Sequence, residues 1–189
     1  MAAPKIAYAI LLLFIAMVSC GMAQSTELRI VPVYFERPLL PFEVQLFCTE
    51  RYVQRACLRD ATQLHLALAR YPVELLGEWS FVLLPAKDWQ ATITALGHRE
   101  DTPAFSILDA HVTVLESSLF APSPARRKQL FEKFGRSGEA LLELAITHEI
   151  VHGVCMDKDE RRVEADRERL RQSKRLECTR ILAETAQSK

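Results

Sequence analysis

The sequence predicts an α+β fold, because strand-like segments gather in its first two thirds and helix-like segments in its last third. Its 189 residues suit one domain of ordinary size. Hydrophobic residues make up 49% and charged residues 25%, which is typical of a folded globular protein. The 24 basic residues balance the 24 acidic ones. The chain therefore has no overall field that would favour nucleic acid or an anionic membrane surface.

The first 23 residues are expected to form a signal peptide, followed by one domain over residues 24–189. Lys5 provides a positive charge, and the apolar run over residues 6–18 would span only about 20 Å as a helix, less than a bilayer core of about 30 Å. Two endings remain open. Ala23 ends a small-x-small cleavage site, whereas the sequence MVSC ending at Cys20 is similar to a bacterial lipobox. Both endings predict export to a periplasmic or extracellular location, with membrane attachment only through a lipidated Cys20.

Apolar and β-branched segments predict the strands. Residues 28–35 (LRIVPVYF) predict a strand with Pro32 at an edge or at a bulge, because Pro32 has no N–H to donate to a neighbouring strand. Residues 79–84 (WSFVLL) are typical of a buried strand. Residues 105–115 alternate loosely between apolar and polar side chains, and they predict a strand or a hairpin.

Helices are predicted over residues 60–70, 125–134 and 137–153, with a final charged helix from about residue 157. Asp60 and Ser137 are good N-cap residues for the first and third of these helices. Gly135 and Gly153 are natural C-terminal stops for the second and third.

Four cysteines remain beyond the predicted signal peptide: Cys48, Cys57, Cys155 and Cys178. An even number in an exported chain favours disulfides. The short polar stretch between Cys48 and Cys57 makes a local bridge the easiest choice, which leaves Cys155 with Cys178. A straight helix over residues 157–177 would hold that pair about 30 Å apart, far beyond disulfide range. Either that helix breaks, most easily at residues 172–173, or the pairing is different.

Residues 148–152 (HEIVH) form an HExxH motif. Two histidines four residues apart lie on one helix face, about 6 Å from each other, so His148 and His152 can bind one zinc ion (Zn²⁺) at about 2.0–2.1 Å. Glu149 lies one step round the helix, where it can act as a general base on zinc-bound water. The flanking residues are apolar on most sides, which predicts a buried helix, and a buried unpaired carboxylate is costly unless it has a role.

With this motif and the acidic helix after it, the stretch from residue 105 to 176 resembles the HExxH zincin metallopeptidases, and the gluzincin branch in particular. The further histidine of the metzincin continuation is absent, because positions 155 and 158 are Cys and Lys. The resemblance implies a small β-sheet packed on a central HExxH helix and a C-terminal helix. It also implies that zinc is the cofactor and that a peptide or protein is the substrate.

The resemblance further implies that the third zinc ligand is a Glu on the helix after the motif. Glu164, in the EAD step at residues 164–166, is the predicted ligand, with Glu160 as the next candidate. In the commonest form of that element the ligand lies four residues before the Asp, where this chain has Arg162. Asp166 is expected to contact an imidazole N–H. Cys155 is a further possible ligand, since a thiolate also binds zinc.

The predicted function is an exported zinc metallopeptidase in which Glu149 activates water. Zincins often use a His or Tyr downstream of the motif as an oxyanion donor, but neither residue type follows His152. The candidates for this role are therefore Arg161, Arg162 and Arg167. The alternative function is a non-catalytic envelope protein that binds zinc on a zincin scaffold. The other aromatic and histidine residues are assigned to the core (Trp79, Trp89) or to the surface and loops (His65, His98, His111).

Overall fold

The computed structural model describes residues 29–34 and 45–179. The predicted signal peptide and Cys20 lie outside the described residues, so the two possible cleavage sites stay predictions. Within the described ranges, no helix has the length and apolar character that crossing a membrane requires.

The fold is α+β, as predicted. A mixed five-stranded sheet has the order β1–β2–β3–β5–β4. The strands are β1 (Ile30–Pro32), β2 (Gln45–Thr49), β3 (Ser80–Leu84), β4 (Ala104–Ile107) and β5 (Val112–Glu116). Strands β2, β3 and β5 are parallel, whereas β1 and β4 run antiparallel to their neighbours at the two edges. Pro32 therefore lies in an edge strand, as expected.

Within the described residues, five α-helices pack around this sheet. They are α1 (Gln54–Leu68), α2 (Ala86–Ala95), α3 (Pro124–Phe134), α4 (Glu139–Cys155) and α5 (Glu160–Ser173). Helix α4 carries the HExxH motif. It contacts α1, strand β4 and helix α5, so the motif lies between the sheet and the last helix.

The sheet is buried on both faces because successive side chains of a strand point to opposite sides. On one face, Val82 and Val114 pack with Trp89 of helix α2. On the other face, Phe81 and Leu115 belong to the larger core, which includes helices α1, α4 and α5. Most of the apolar surface of the motif-bearing helix is thus fixed against the sheet and its neighbouring helices.

Helix α1 begins six residues before the predicted start, so Asp60 is not its N-cap. Asp60 is instead buried within the helix, where it accepts hydrogen bonds from Tyr52 Oη (2.6 Å) and Arg59 Nε (2.7 Å). The residue before the helix, Val53, makes no side-chain capping bond. A sequence rule based on polar caps therefore places the start too late.

Helix α4 differs from the prediction at both ends. Gly138 rather than Ser137 occupies its N-cap position, and the helix continues through Gly153 to end at Cys155. The following residue, Met156, adopts the left-handed conformation (φ 47°). Gly153 lies inside the helix, and a larger residue would not fit there, because a Cβ at this position would be only 2.5 Å from Leu76 Cδ2. The glycine provides close packing rather than a helix stop.

The segment predicted as a strand or a hairpin forms the antiparallel pair β4 and β5, and the strand predicted over residues 79–84 is present as β3. The predicted helix that ends at Gly135 is present as α3. Strand β2 and helix α2 were not predicted. Helix α2 is short and lies between Pro85 and Gly97, so its pattern covers fewer than three helical turns. Both missed elements are nevertheless central, since β2 pairs with β3 and α2 covers one face of the sheet.

Two disulfides join Cys48 to Cys57 and Cys155 to Cys178. This is the easier of the pairings considered from the sequence. The helix break that it needs is present, because α5 ends at Ser173 and Lys174 turns the chain back with φ 57°. The two bridges indicate an oxidising environment outside the cytoplasm. They also remove Cys155 as a thiolate ligand.

Candidate metal centre

Helix α4 places the two histidines of the motif on one face, one turn apart. His148 Nε2 and His152 Nε2 lie 3.0 Å from each other. The side chain of His148 is partly exposed and that of His152 is nearly buried. The helix itself is anchored in the core by fully buried residues such as Ile146 and Ile150. The imidazoles are thus presented by a rigid element at the edge of the core.

The turn after α4 brings a carboxylate to the same point. Asp159 caps helix α5 by accepting hydrogen bonds from the N–H groups of Arg161 (3.0 Å) and Arg162 (3.1 Å). Glu160 is therefore the first residue of α5. Its Oε2 lies 3.2 Å from His148 Nε2 and its Oε1 lies 3.4 Å from His152 Nε2.

These three side chains meet the geometric needs of a zinc site. One ligand atom each from His148, His152 and Glu160 can be chosen so that all lie within 4.8 Å of one another. Ligands bound at about 2.0–2.1 Å to a tetrahedral zinc ion are about 3.3 Å apart. His148 Nε2 lies 3.0 Å from His152 Nε2 and 3.2 Å from Glu160 Oε2, which is close to that spacing, whereas the 3.4 Å contact of His152 Nε2 is with the other carboxylate oxygen, Oε1. Two imidazoles and one carboxylate with room for a further ligand are also a donor set typical of catalytic zinc.

A backbone carbonyl orients His152. Its Nδ1 lies 2.6 Å from the carbonyl oxygen of Asp157. Since a carbonyl can only accept, Nδ1 carries the proton, and the lone pair of the neutral ring is on Nε2, which faces His148 and Glu160. The Asp157 carboxylate is in turn held by Arg162 Nε (2.7 Å) and by the N–H of Asp159 (2.9 Å). The turn thus fixes the tautomer that a metal ligand needs.

The partner of an imidazole N–H was expected to be Asp166, and this prediction is wrong. Asp166 is buried and accepts hydrogen bonds from Thr179 N (2.9 Å), Thr179 Oγ1 and Arg169. Asp166 thus binds the segment that follows α5, through Thr179, and not a histidine of the metal centre. Sequence reasoning did not identify Asp157, because this residue contacts His152 through its backbone oxygen.

Glu164, the predicted third ligand, approaches the other side of the His148 ring. Its Oε2 is 3.6 Å from His148 Nδ1, while Oε1 pairs with Arg167. Glu160 and Glu164 are one turn apart on α5, and they face different nitrogens of the same imidazole. The ligand role of Glu164 stays a prediction, and the structure brings Glu160 to the two Nε2 atoms.

The carboxylates around His148 favour its protonated form. Burial disfavours the charge, but the hydrogen bond to Glu160 and the negative charges of Glu149, Glu160 and Glu164 outweigh it, so the pKa of His148 is raised. The hydrogen bond from His148 holds the pKa of Glu160 below its ordinary value. Surroundings that stabilise a proton at this point also stabilise a divalent cation.

Glu149 is almost entirely buried, with 4% of its surface exposed. Its Oε2 accepts a hydrogen bond from Ser106 Oγ at 2.7 Å. Ser106 belongs to β4, and sequence reasoning did not identify it, since a serine in a strand carries no motif. The buried carboxylate therefore has a partner on the sheet.

A cavity of about 770 Å³ opens in front of these residues. Its lining includes the metal-centre residues, Glu149 and all of strand β4. Of the three arginines considered as oxyanion donors, Arg167 lines this cavity, whereas Arg162 is held by Asp157. Arg161 is not among the lining residues.

The remaining aromatic and histidine assignments are partly confirmed. Trp79 and Trp89 are buried, as predicted. His65 was assigned to the surface, which is wrong, since it lies buried in helix α1. His98 lines the cavity and stacks on Phe105 with ring centroids 4.5 Å apart.

Comparison of the chain with protein-family models, with curated proteins and with solved structures finds no match. The fold and the geometry of the His148–His152–Glu160 group are therefore the basis for any functional conclusion.

Proposed function

We propose that this chain is an exported zinc-dependent peptidase, with His148, His152 and Glu160 as the zinc ligands and Glu149 as the general base. The observation that carries this proposal is that the imidazoles of His148 and His152 and the carboxylate of Glu160 converge. They do so in a cavity that is also lined by the buried Glu149. Zinc bound at these ligands supplies Lewis acidity, which lowers the pKa of water to about 7 and polarises a carbonyl oxygen.

Glu149 provides the proton transfer that peptide hydrolysis needs. Its carboxylate accepts a proton from the attacking water and then delivers it to the amine nitrogen as the C–N bond breaks. It suits this role because it adjoins His148 on the same helix and lines the cavity. The burial of its side chain also strengthens its electrostatic interactions.

Strand β4 supports a peptide as the substrate. Within the described residues it is an edge strand of the sheet, and its four residues line the cavity. An edge strand presents backbone N–H and C=O groups that can pair with an extended peptide. A peptide bound in this way would run along β4 and pass the metal centre.

Arg167 is the candidate for stabilising negative charge on the substrate. Arg167 is one of the residues that line the cavity, its guanidinium pairs with Glu164, and its side chain is only 8% exposed. Arginine cannot be deprotonated in proteins, so it offers a permanent positive charge in a partly dry site. An envelope location, with or without a lipidated Cys20, belongs to the same proposal and agrees with the two disulfides.

The purified protein is expected to contain one equivalent of zinc, measured by elemental analysis after removal of loosely bound metal. Glu149→Gln should retain this zinc and lower the hydrolysis of a peptide library by at least about 100-fold, because the base is lost and the ligands are kept. His148→Ala should lose the zinc as well as the activity. Glu132→Gln, on an exposed side chain of α3, is the matched control and should change neither.

A wild-type protein that binds zinc and hydrolyses none of the peptides would contradict the peptidase function. That result would favour the alternative, a non-catalytic zinc-binding protein of the envelope. A protein that takes up no zinc on titration would contradict both.

A further inference from the structure

Glu149 is connected to the centre of the sheet by a continuous chain of side-chain hydrogen bonds. Trp79 Nε1 lies 3.0 Å from Thr113 Oγ1, which lies 2.8 Å from Ser106 Oγ. Ser106 Oγ then lies 2.7 Å from Glu149 Oε2. Trp79 is the residue just before β3, Thr113 belongs to β5, Ser106 to β4 and Glu149 to α4, so the hydrogen bonds cross two strands to reach the helix.

The chemistry of the two ends sets the direction of every bond. The indole N–H of Trp79 can only donate, and an ionised carboxylate can only accept. Each hydroxyl between them has one proton. Thr113 therefore accepts from Trp79 and donates to Ser106, and Ser106 donates to Glu149. All three donors point toward the carboxylate, and bonds aligned in this way strengthen one another.

The side chains of this hydrogen-bond chain are packed tightly. Its first residue, Trp79, contacts helix α4, which also carries its last residue, Glu149. Thr113 is fully buried, and Ser106 is its direct partner in the antiparallel register of β4 and β5. The Trp79 ring packs against Gly153, where a Cβ would lie 3.0 Å from Trp79 Cη2. Gly153 is one helical turn beyond Glu149. Any shift of the carboxylate would thus have to move side chains that are themselves fixed.

The two carboxylate oxygens of Glu149 are in different situations. Oε2 is occupied by Ser106, whereas Oε1 takes part in no hydrogen bond within the part of the chain that the structure describes. A cross-strand Ser–Thr pair would stabilise a sheet by itself, and it would need no bond to a carboxylate on a helix. A purely structural role of the Ser106–Thr113 pair therefore does not explain why Ser106 donates its hydrogen bond to Glu149.

We propose that Ser106 is a positioning residue that holds Glu149 Oε2, so that Oε1 is the oxygen that exchanges the proton with water and the leaving amine. Thr113 and Trp79 orient Ser106 for this purpose. The inference rests on the proposed function, since it assigns the reacting atom of the general base.

The kinetic test compares Ser106→Ala, Ser106→Thr and Ser118→Ala on a peptide that the wild-type protein hydrolyses. Ser106→Ala should lower kcat by between about 10-fold and 100-fold, because a mispositioned base costs rate rather than affinity. KM should stay within about 2-fold and the zinc content should not change. Ser106→Thr keeps the hydroxyl and should restore most of the rate. Ser118 is a buried hydroxyl bonded to Glu116, away from the cavity, and its loss should leave kcat unchanged.

A second test needs no activity and follows the two tryptophan indole N–H signals by NMR. Glu149→Gln should shift the Trp79 signal, because loss of the charge weakens the polarisation along the chain. The Trp89 signal should not move, since that indole donates to the backbone oxygen of Thr102. In a Ser106→Ala background the same Glu149→Gln change should leave Trp79 unaffected.

The inference would be overturned if the Trp79 indole N–H signal did not shift in Glu149→Gln. It would also be overturned if Ser106→Ala kept the wild-type kcat. A responsive Trp79 signal in a wild-type protein without hydrolysis would contradict the proposed peptidase function and leave the hydrogen-bond chain to Glu149 established.

Discussion

At the scale of single residues, the metal centre depends on which nitrogen of His148 each acid faces. Glu160 lies next to Nε2 and Glu164 lies on the Nδ1 side. A metal-bound histidine usually donates its other ring N–H to an oxygen acceptor, and this contact orients the ring. We therefore expect Glu160 to bind the metal and Glu164 to orient His148.

This assignment predicts different effects for two neighbouring substitutions. Glu160→Gln should weaken zinc affinity by more than about 100-fold, because a charged ligand is lost, whereas Glu164→Gln should weaken it by about 10-fold. Affinities can be measured by competition with a chromogenic chelator. Both side chains are more than half exposed on the same helix, so each is a control for the other. A larger loss for Glu164→Gln would reverse the assignment and restore the role predicted from the sequence.

The sequence was sufficient to predict the approach of His148 and His152, since helical spacing alone fixes it. It could not distinguish Glu160 from Glu164, because the two share one helix face. The choice depends on the turn between α4 and α5, where Met156 adopts a left-handed conformation that no sequence rule predicts for a methionine. The prediction that α4 ends at Gly153 placed the start of that turn two residues too early, because the helix ends at Cys155.

At the scale of elements, helix α4 is positioned by its close contact with the segment before β3. Gly153 lies within this contact, against Leu76 and Trp79. A glycine inside a helix normally costs about 1 kcal/mol relative to alanine. Its presence here indicates that close packing outweighs helix propensity.

Gly153→Ala should therefore lower the free energy of unfolding by about 1–3 kcal/mol, despite the better helix propensity of alanine. Urea denaturation measures this change. In a Leu76→Ala background the same substitution should cost clearly less, because the nearest clashing atom, Leu76 Cδ2, is absent. Equal costs in the two backgrounds would show that the contact with Leu76 does not determine the helix position.

The elements that the sequence predicted well are those with strong local signals. Strand β3 is a continuous apolar run, and α3 lies between Pro124 at its first turn and Gly135 at its end. The start of α1 was misplaced because the Asp60 carboxylate bonds to the side chains of Tyr52 and Arg59 and does not cap the helix. A capping rule fails where other side chains satisfy the polar residue.

At the scale of the whole molecule, the two disulfides constrain very different lengths of chain. The Cys48–Cys57 bridge joins β2 to the first turn of α1, with a sequence separation of 9. The Cys155–Cys178 bridge joins the end of the motif-bearing helix to the chain that follows α5, with a separation of 23. The second bridge encloses the whole of α5 and therefore Glu160 and Glu164.

Removal of the second bridge should destabilise the protein more than removal of the first. Loop-closure entropy gives about 3.4 kcal/mol for the longer loop and about 2.6 kcal/mol for the shorter one. Paired Cys→Ser variants, Cys155→Ser with Cys178→Ser and Cys48→Ser with Cys57→Ser, can be compared by urea denaturation without zinc. With zinc present, loss of the longer bridge should also lower metal affinity, because binding must then order the turn that carries Glu160. The shorter bridge joins β2 to α1 and encloses no residue of the metal centre, so its loss should leave zinc affinity unchanged. If the two pairs of variants bound zinc equally well, α5 would hold its position on α4 by packing alone, through buried residues such as Val163 and Leu170.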